Sequence, residues 1–566
     1  MKRFTQYIIV VLIACMAALT AQARTISINA KTVKGDLTEY LRNVAQGASY
    51  KDTVVVSFDK GSYTINGSII FNCHLVMTGM GQQHTTVIFN KGTDRPGFKA
   101  FNDDCFIDVF GTLARPLSAV ISDISFQLQD HTGIWWKDSR NYLFKIRHCN
   151  RVNISRVKSY IANAISTNFD LHVCSNVTVT DCDITNYNNS EGGGCLWLRG
   201  EAHNVSIKRN KFTKYGKDEA LAVFDRLVNH SKQYIRGNAS RSDIMIEDNE
   251  FIYGGYKGKD KDPESNCGMV FSLFTDENDK NHDRCVTRNF HLRGNKFYIN
   301  DVTTRCIYIG FDPADEHRDI YIENNEIVNG DIGRDYRFYH KDIEVHDLST
   351  CGDTIRIKGN SVRNRAMVLN SSDETGYMFI QSRGGIIKMD GNKIVNEVNR
   401  KTPRGKAYGM QLIWCQEEGG DVTMVNNVCK GLSYLGYVGG GNGTPLFTLN
   451  AHNNYFEGNT RIYSHKVQKM NLNFTNNTFM SDGECFFLQE FAPRGSVVFT
   501  CNDVTVRGGN GKFMTHWGSN SSNSMRFDRL EVSGNVFKGV KDEKDLFHHV
   551  TNVGKRKVKS NRISRY

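Results

Sequence analysis

The feature that most constrains this chain is a short phrase that returns along most of its length. Two apolar residues flank one polar residue, an Asn follows three positions later, and a further apolar residue comes two positions after it, as in DIYIENNEI at 319–327 and RLEVSGNVF at 529–537. The phrase recurs about ten times, and such internal repetition is typical of stacked repeat architectures. The Asn positions are Asn210, Asn249, Asn295, Asn325, Asn360, Asn392, Asn427, Asn477, Asn502 and Asn535, and an earlier copy carries Cys182 there.

The phrase predicts a strand, a corner and a second strand. Alternation of apolar and polar residues indicates strands with one buried face. An Asn at a fixed corner fits a bend that needs left-handed backbone, and stacked corner side chains can hydrogen-bond from coil to coil. The chain has 7 Pro in 566 residues, which suits continuous strand ladders. We therefore predict an all-β fold, a right-handed parallel β-helix with three strands per coil and an Asn ladder.

The two ends of the chain lack the repeated phrase. Asp36, with Glu39 three residues later, forms a capping-box pattern that predicts a short helix, and we interpret residues 24–50 as the N-terminal cap. The β-helix is expected over 51–540 without a domain break. The basic residues 541–566 are interpreted as a solvated tail.

Residues 1–23 have the pattern of an export signal. Lys2 and Arg3 precede an apolar run that is too short to span a membrane, and Ala21-Gln22-Ala23 is a small-x-small cleavage pattern. An alternative is lipid attachment at Cys15, because Leu-Ile-Ala-Cys resembles a bacterial lipobox. Both alternatives predict an exported protein, at the cell surface, in the periplasm or secreted. No other stretch is long and apolar enough to predict a membrane span.

The mature chain is basic. The whole sequence has 71 Lys and Arg against 60 Asp and Glu, and removing Lys2 and Arg3 with the signal leaves 69 against 60, a net charge of +9. This charge favours an anionic partner outside the cell, with simple solubility as the alternative. Nucleic acid is not expected, because the compartment is wrong and the charge is scattered.

One strand of each coil lies outside the repeated phrase, as in CLWLRG, ALAVFD, CIYIGF, DIEVHD and YMFIQS. Its alternation turns one set of side chains outward, and the longest insertions border this strand and would wall the outer face into a groove. Long loops on a rigid scaffold are where function usually lies. The predicted outer row includes His172, Trp197, Arg199, Asp218, Ser272, Phe274, Tyr308, His340, Asp342, Glu344, His346 and Gln381.

The residue types in this row suggest chemistry. Tyr308 on one coil and Glu344 with His346 on the next would be neighbours, and Tyr and His are plausible proton donors and acceptors. Arg side chains are suited to binding a carboxylate or sulfate, and aromatic side chains can stack on sugar rings. Carboxylates are the ligands that Ca²⁺ prefers. The candidate anion-binding residues are Arg199 and Arg305, the further substrate contacts are Trp197, His340, Lys217, Gln381 and His172, and the candidate Ca²⁺ ligands are Asp218, Glu219 and Asp225.

Each of these residues has a simpler explanation. An exposed Asp-Glu pair is usually solvated, a single Tyr usually packs, and His346 can pair with Glu344 alone. An error of one residue in strand register would reverse the face of every side chain.

The chain resembles the pectate-lyase-like superfamily of β-helical proteins, and within it the exported polysaccharide lyases of Bacteroidetes type. The resemblance is carried by the capping helix, by the early coil LVMTGMG at 75–81 with TVIF at 86–89, and by the Asn-cornered coils. Residues 216–221, GKDEAL, are similar to the paired-aspartate phrase of polygalacturonases, with Glu219 in place of the second Asp. The superfamily also contains hydrolases, tailspikes and adhesins, and fold alone does not give function.

The resemblance implies a monomeric lyase that cleaves a uronate polymer by β-elimination, with chondroitin, dermatan or hyaluronan as the leading substrates ahead of pectin and alginate. In this hypothesis Arg199 or a bound Ca²⁺ neutralises the uronate carboxylate. His346 or Tyr308 removes the C5 proton, Tyr308 protonates the leaving oxygen, and Glu344 orients His346. The alternatives are a glycoside hydrolase that uses Asp218 and Glu344, and a glycan-binding protein without turnover.

Overall fold

The computed structural model is a stack of coils built from three parallel sheets. It describes residues 23–90, 105–128, 141–162, 166–187, 193–216, 219–224, 239–254, 269–275, 284–300, 305–330, 336–337, 339–369, 375–401, 408–416, 418–482, 485–489, 494–507, 511–517, 527–550 and 553–564. Within these ranges the strand pairings are parallel, apart from isolated bridges between Thr112 and Arg115 and between Leu369 and Thr375. The predicted parallel β-helix is confirmed.

Sheet 1 holds the strands that lead into the Asn corner, and sheet 2 holds those that leave it. Sheet 1 comprises Thr25–Asn29, Thr53–Ser57, His74–Thr78, Ser240–Glu247, Val286–Arg293, Glu316–Glu323, Cys351–Gly352, Ile355–Lys358, Ile386–Asp390, Gly420–Val425, Arg494–Thr500, Phe527–Ser533 and Val553–Lys559. Sheet 2 comprises Gly61–Asn66, Thr85–Asn90, Asp183–Tyr187, Lys211–Tyr215, Glu250–Gly254, Lys296–Ile299, Glu326–Asn329, Ser361–Asn364, Lys393–Asn396, Tyr455–Gly458, Thr478–Ser481, Asp503–Val506, Val536–Lys538 and Arg562–Ser564.

Sheet 3 closes each coil and carries the predicted outer row. It comprises Ile69–Phe71, Cys105–Phe110, Asn141–Arg147, Leu221–Phe224, Met269–Phe274, Arg305–Phe311, His340–Asp347, Tyr377–Gly384, Met410–Cys415, Phe486–Gln489, Met514–Trp517 and Phe547–His548. Longer strands run through a corner from one sheet into the next: Leu117–Leu128, Cys149–Ala162, Ser166–Thr180, Leu196–Lys208, Val428–His452 and Ile462–Thr475. A separate small sheet pairs Tyr336–Arg337 with Val368–Leu369.

The core is a set of apolar columns that run along the stack. Because side chains alternate across a strand, one residue in two points into the coil and meets its counterpart about 4.8 Å above and below. On sheet 3 the inner column contains Phe169, Leu196, Leu221, Phe271, Ile307, Ile343 and Ile380, all buried. Each coil is therefore stabilised mainly by its neighbours.

The corner asparagines form a continuous ladder. In each step the Nδ2 of one Asn donates to the Oδ1 of the next, as from Asn325 to Asn360 at 3.0 Å and from Asn360 to Asn392 at 3.0 Å. The backbone N–H of each Asn donates to the same oxygen. The ladder starts at Asn210 and also includes two positions that the sequence analysis did not identify, Asn454 and Asn561.

The left-handed residue at the corner is not the ladder Asn, which corrects the sequence prediction. Positive φ angles occur at the residue before it, for example Asp248 at 54°, Gly359 at 63° and Asn426 at 57°. The ladder Asn is required instead for its side chain, which bonds both to the next coil and to a backbone carbonyl of the preceding coil, as from Asn360 to Ile322 at 2.9 Å.

The predicted capping helix is confirmed, whereas Thr25–Asn29, which the prediction placed in the cap, forms a strand of sheet 1 paired with Thr53–Ser57. The helix Leu37–Gly47 is capped by Asp36, whose carboxylate accepts from the backbone N–H of Thr38 at 2.7 Å. Glu39 pairs with Arg42 instead of completing the predicted capping box. The helix buries Leu41 over the first coils, and short 3₁₀ turns lie at Ala30–Thr32 and Glu543–Leu546. No helix in the described ranges is long and apolar enough to cross a membrane.

The C-terminal segment differs from the predicted solvated tail. Val553–Lys559 pairs in parallel with Phe527–Ser533, and Arg562–Ser564 pairs with Val536–Lys538. Asn561 occupies the corner between them and accepts from Asn535 at 2.9 Å. The basic residues of this segment therefore belong to a final coil. The sequence analysis did not identify it because its charges conceal the strand alternation.

Candidate functional site

Sheet 3 brings the central predicted residues into one outer row. Tyr308 lies opposite Glu344 on the next coil, Glu344 opposite Gln381, and Gln381 opposite Trp414. A second column runs beside it, in which Gly310, His346 and Arg383 are aligned. The prediction that Tyr308 and Glu344 occupy adjacent coils is confirmed by this register.

Gly310 gives the Tyr308 hydroxyl its position. A methyl group at residue 310 would lie 2.8 Å from the phenol oxygen of Tyr308, so only glycine leaves that space free. The hydroxyl thus lies over Gly310, the residue that pairs with His346. This geometry directs the phenol toward the column that contains His346.

Glu344 is held between two cations. Arg305 Nε lies 2.7 Å and Lys341 Nζ 3.4 Å from its Oε2. Burial by itself would raise the pKa of Glu344, but Lys341, Arg305 and Arg383 outweigh it and keep that pKa below its usual range. Burial also lowers the pKa of Lys341. Among the described residues, three cationic side chains therefore act on one carboxylate, which is a surplus of positive charge.

Several polar atoms beside Glu344 have no hydrogen-bond partner among the described residues. Gln381 is fully buried, yet neither its Oε1 nor its Nε2 is paired, and the same holds for Nε1 of Trp414 and Nε of Arg383. Buried polar groups are normally satisfied, so unpaired ones at neighbouring positions of one face indicate a site for water or a polar ligand.

The charged group around Glu344 is exposed to solvent at Arg305. The Arg305 side chain is 33% exposed, while Tyr308 and His346 are mostly buried. The ring of Tyr308 packs under the Arg305 guanidinium, 5.0 Å away, and beside Phe274. Beyond Gln381 the row continues with half-buried aromatic rings, Trp414, Tyr437 and Tyr463, with Lys341 Nζ 5.7 Å from the Trp414 ring.

The earlier coils of sheet 3 are not open, which corrects the predicted roles of Arg199, His172 and Trp197. Arg199 is buried and pairs with Asp170 at 2.7 Å, and His172 pairs with the other carboxylate oxygen at 2.7 Å. Trp197 is buried against the Arg199 guanidinium at 4.6 Å and beside Phe224. Trp197 packs in one outer cluster with Tyr142 and Phe224, so the outer face of these coils is filled by side chains and is not an open groove.

Burial also governs ionisation in this group. It lowers the pKa of His172 to about 4, against the opposing effect of Asp170. Burial would raise the pKa of Asp170, but Arg199 and His172 hold it far below its usual range.

His340 and Asp342 do not face outward as predicted. Asp342 accepts from Asn329 at 2.8 Å and from the hydroxyl of Tyr377 at 2.5 Å, and His340 Nε2 lies 3.3 Å from it. All four side chains are buried. The strand begins at a corner, where strict alternation does not hold, and this explains the error.

The predicted Ca²⁺ site is tested only at one residue. Lys217, Asp218 and Asp225 lie outside the described residues. Glu219 is buried and accepts from Ser272 at 3.2 Å. The described part of the chain contains no group of three or more His, Cys, Asp or Glu placed to hold a metal. Ca²⁺ remains a prediction.

The sequence analysis missed Lys341, Arg383 and Trp414. Alternation from Ile380 and Ile413 would have placed Arg383 and Trp414 on the outer face. Lys341 could not be found in this way, because alternation places it on the inner face, and only the irregular strand start brings its Nζ to Glu344.

No model of a protein family matches the sequence, and comparison with curated proteins finds no match either. Among solved structures the chain is similar to the A-module of the Azotobacter vinelandii mannuronan C-5 epimerase AlgE6, at 10% identity and a TM-score of 0.26, over 95% of this chain and 99% of that one. The chain is also similar to the Streptococcus pneumoniae surface protein and adhesin PfbA, at 12% identity and a TM-score of 0.27, over 95% of this chain and 100% of that one. A third similar structure is a mannuronic acid specific polysaccharide family 6 lyase from human gut microbiota, at 9% identity and a TM-score of 0.25, over 92% of this chain and 87% of that one. At these values the similarities carry no argument about activity, and the fold rests on the strand pairing.

Proposed function

We propose that the protein is an exported polysaccharide lyase that cleaves a uronate-containing chain by β-elimination at the Tyr308–Glu344–Gln381 row. The observation that carries the proposal is the convergence on one face of a phenol, an imidazole, a surplus of cations and unpaired polar atoms. These are the groups that such a reaction needs: neutralisation of a carboxylate, a base and an acid.

The proposed step assigns neutralisation to Arg305 and Lys341 in place of the buried Arg199. With the uronate carboxylate held by these cations, His346 or Tyr308 takes the proton from C5. The electron pair of that C–H bond forms the C4–C5 double bond as the C4–O bond breaks, and Tyr308 protonates the departing oxygen. Glu344 keeps Arg305 and Lys341 in place, which adds to the orienting role that the sequence analysis gave it.

The leading substrate class is a glycosaminoglycan of the chondroitin, dermatan or hyaluronan type. The support is the net charge of +9 on the mature chain and the cationic surplus beside Glu344. Alginate and polygalacturonate are the next candidates, since they present the same carboxylate beside C5.

The test is ultraviolet absorbance of the purified mature protein mixed separately with chondroitin sulfate, dermatan sulfate, hyaluronan, heparin, polygalacturonate and alginate, with and without EDTA. Growth of the unsaturated-uronate signal on one polymer supports the proposal, and loss of the signal with EDTA supports a bound metal. New reducing ends without that signal indicate a hydrolase, and no product on any polymer indicates a binding protein. Either result would overturn the lyase proposal.

Two variants test the residue assignment. Tyr308→Phe and His346→Gln are each expected to lower kcat by about 100-fold or more, the range for loss of a proton-transfer group. Tyr298→Phe is the matched control, because Tyr298 is a half-buried tyrosine on sheet 2 of the same coil. Near-native activity in both site variants, or an equal loss in the control, would contradict the assignment.

The ionisation of Glu344 limits its role in the alternative hydrolase. The three neighbouring cations lower its pKa, whereas the general acid of a glycosidase needs a raised pKa, so Glu344 would serve there as the base or nucleophile.

A further inference from the structure

A second cationic group lies at the corner between sheet 3 and sheet 1. Three arginines, Arg284, Arg288 and Arg318, surround the single carboxylate of Glu316. Arg288 Nη2 lies 3.0 Å and Arg318 Nε 3.2 Å from Glu316 Oε1, and Arg284 contacts the other oxygen. We call these four residues the arginine cluster.

The carboxylate is buried and the guanidinium groups are not. The Glu316 side chain is 5% exposed, whereas those of Arg284, Arg288 and Arg318 are 52%, 54% and 62% exposed. One negative charge therefore positions three positive charges at the surface. Each guanidinium has five N–H donors, and Glu316 engages only part of them, so a half-exposed side chain has donors left for a ligand.

The corner that holds this cluster is rigidly built. Buried Asp315, next to Glu316, accepts from the backbone N–H of Cys285 at 2.9 Å and from the Thr275 hydroxyl at 2.6 Å. The backbone N–H of Glu316 donates to the carbonyl of Cys285 at 2.9 Å. These bonds hold the backbone beside Arg284 and at Glu316, so this part of the site need not be ordered when a ligand binds.

Two arginines of the cluster lie opposite each other. Arg288 and Arg318 are paired in register on adjacent strands, and like charges opposite each other destabilise a sheet. The nearby carboxylate of Asp353 pairs with Arg356 and does not neutralise the cluster. Among the described residues, three cations therefore pair with one anion, which leaves an excess of two positive charges in this group.

We infer that the arginine cluster is a binding site for the anionic groups, carboxylate or sulfate ester, of an extended polysaccharide. Planar guanidinium groups bind both oxyanions through paired N–H donors. Glu316 follows the strand Arg305–Phe311 after a short turn, so the cluster borders the end of the sheet that carries Tyr308. A chain crossing sheet 3 at that end would meet it. The inference concerns binding and does not depend on the proposed elimination.

The test compares two double variants of the full mature chain. Arg288→Gln with Arg318→Gln removes two cations from the cluster. Arg363→Gln with Arg365→Gln is the matched control, because both arginines pair with Glu397, are 40% and 45% exposed, and lie away from the cluster. Both double variants lower the net charge by two. Melting temperatures of both show whether they fold.

Affinities are measured at several salt concentrations for hyaluronan, dextran sulfate, chondroitin sulfate and neutral dextran. Hyaluronan presents carboxylates alone, dextran sulfate presents sulfates alone, and chondroitin sulfate presents both. The cluster variant is expected to raise the Kd for an anionic polymer by about tenfold, with a weaker salt dependence, as for loss of two charge-assisted contacts. The control is expected to raise it about twofold or less. Measurements repeated with the Tyr308→Phe variant exclude substrate turnover.

The polymer that responds identifies the bound group. A response with hyaluronan alone identifies carboxylate, and a response with dextran sulfate alone identifies sulfate. Equal shifts in the cluster and control variants would overturn the inference, because total charge would then explain the binding. Unchanged binding in the cluster variant would overturn it as well. Because these outcomes need no product, they are independent of the ultraviolet assay.

Discussion

Removal of one central ladder side chain, by Asn360→Ala, tests what holds the coils together. The Asn360 side chain donates to the carbonyl of Ile322 at 2.9 Å and to Asn392 Oδ1 at 3.0 Å. It accepts from the backbone N–H of Asn325 at 2.9 Å and from Asn325 Nδ2 at 3.0 Å. Asn360 is 1% exposed, so water cannot easily replace these bonds.

The expected loss of stability follows from the polar groups that lose their hydrogen-bond partners in the Asn360→Ala variant. Alanine leaves the Ile322 carbonyl and the Asn325 N–H without these partners, and each buried unpaired group costs about 1–3 kcal/mol. Asn392 and the Asn325 side chain keep other bonds and add little. We therefore expect the free energy of unfolding to fall by about 3–5 kcal/mol, the sum for two such groups with a small cavity.

The assay is urea unfolding combined with amide hydrogen exchange, because long repeat proteins can unfold in parts. Exchange is expected to rise first in the coils around residues 320–330 and 355–365. Asn473→Ala is the control, since Asn473 is half-buried on the outer face and donates one bond, to Asn450 at 2.8 Å. It is expected to cost about 1 kcal/mol or less. Equal losses in both variants would refute the claim that the buried ladder stabilises the stack.

Two further predictions concern stability. Between pH 6.5 and about 4 the unfolded chain protonates His172 while the folded chain does not, so the free energy of unfolding should fall as the pH falls through this range. The expected loss is up to about 3 kcal/mol, and a pH series of urea midpoints that is equally steep in His172→Gln would contradict it. Cys182 occupies the corner of the coil that precedes the first ladder residue, Asn210. Its backbone N–H already donates to the side-chain oxygen of Asn210 at 3.0 Å. Cys182→Asn should therefore extend the ladder and stabilise the protein by about 1 kcal/mol in thermal unfolding, whereas Cys182→Ala should not.

The fold could be predicted because its determinants are local and repeated. Each copy of the phrase contains the alternation, the corner and the ladder residue, so an error in one copy is corrected by the others. The final coil was missed because Arg556 stands at the position of the buried Leu530 in the preceding coil, so its strand lacks the apolar alternation. The left-handed corner residue was misplaced by one position, since both neighbours are often Asn, as at Asn324 and Asn325.

The site was only partly predictable. Register placed Tyr308 opposite Glu344, because period-2 alternation is reliable in the middle of a strand. Alternation states which face a side chain takes but not whether that face is covered, and so Arg199 and Trp197 were expected in a groove although they are buried. Strand starts break the alternation, which misplaced Asp342 and hid Lys341.

The Asn ladder keeps the same geometry whatever the number of residues in each coil. Successive corner residues are 46 positions apart from Asn249 to Asn295 and 23 apart from Asn454 to Asn477, yet the side-chain bonds are 2.9 and 3.0 Å. A connection can therefore gain or lose twenty or so residues without shifting the register of the strands that it joins. In such a scaffold the outer connections beside sheet 3 can diverge in length and composition while Tyr308, Glu344 and Gln381 stay aligned. Ligand preference can then change independently of the framework that positions these residues.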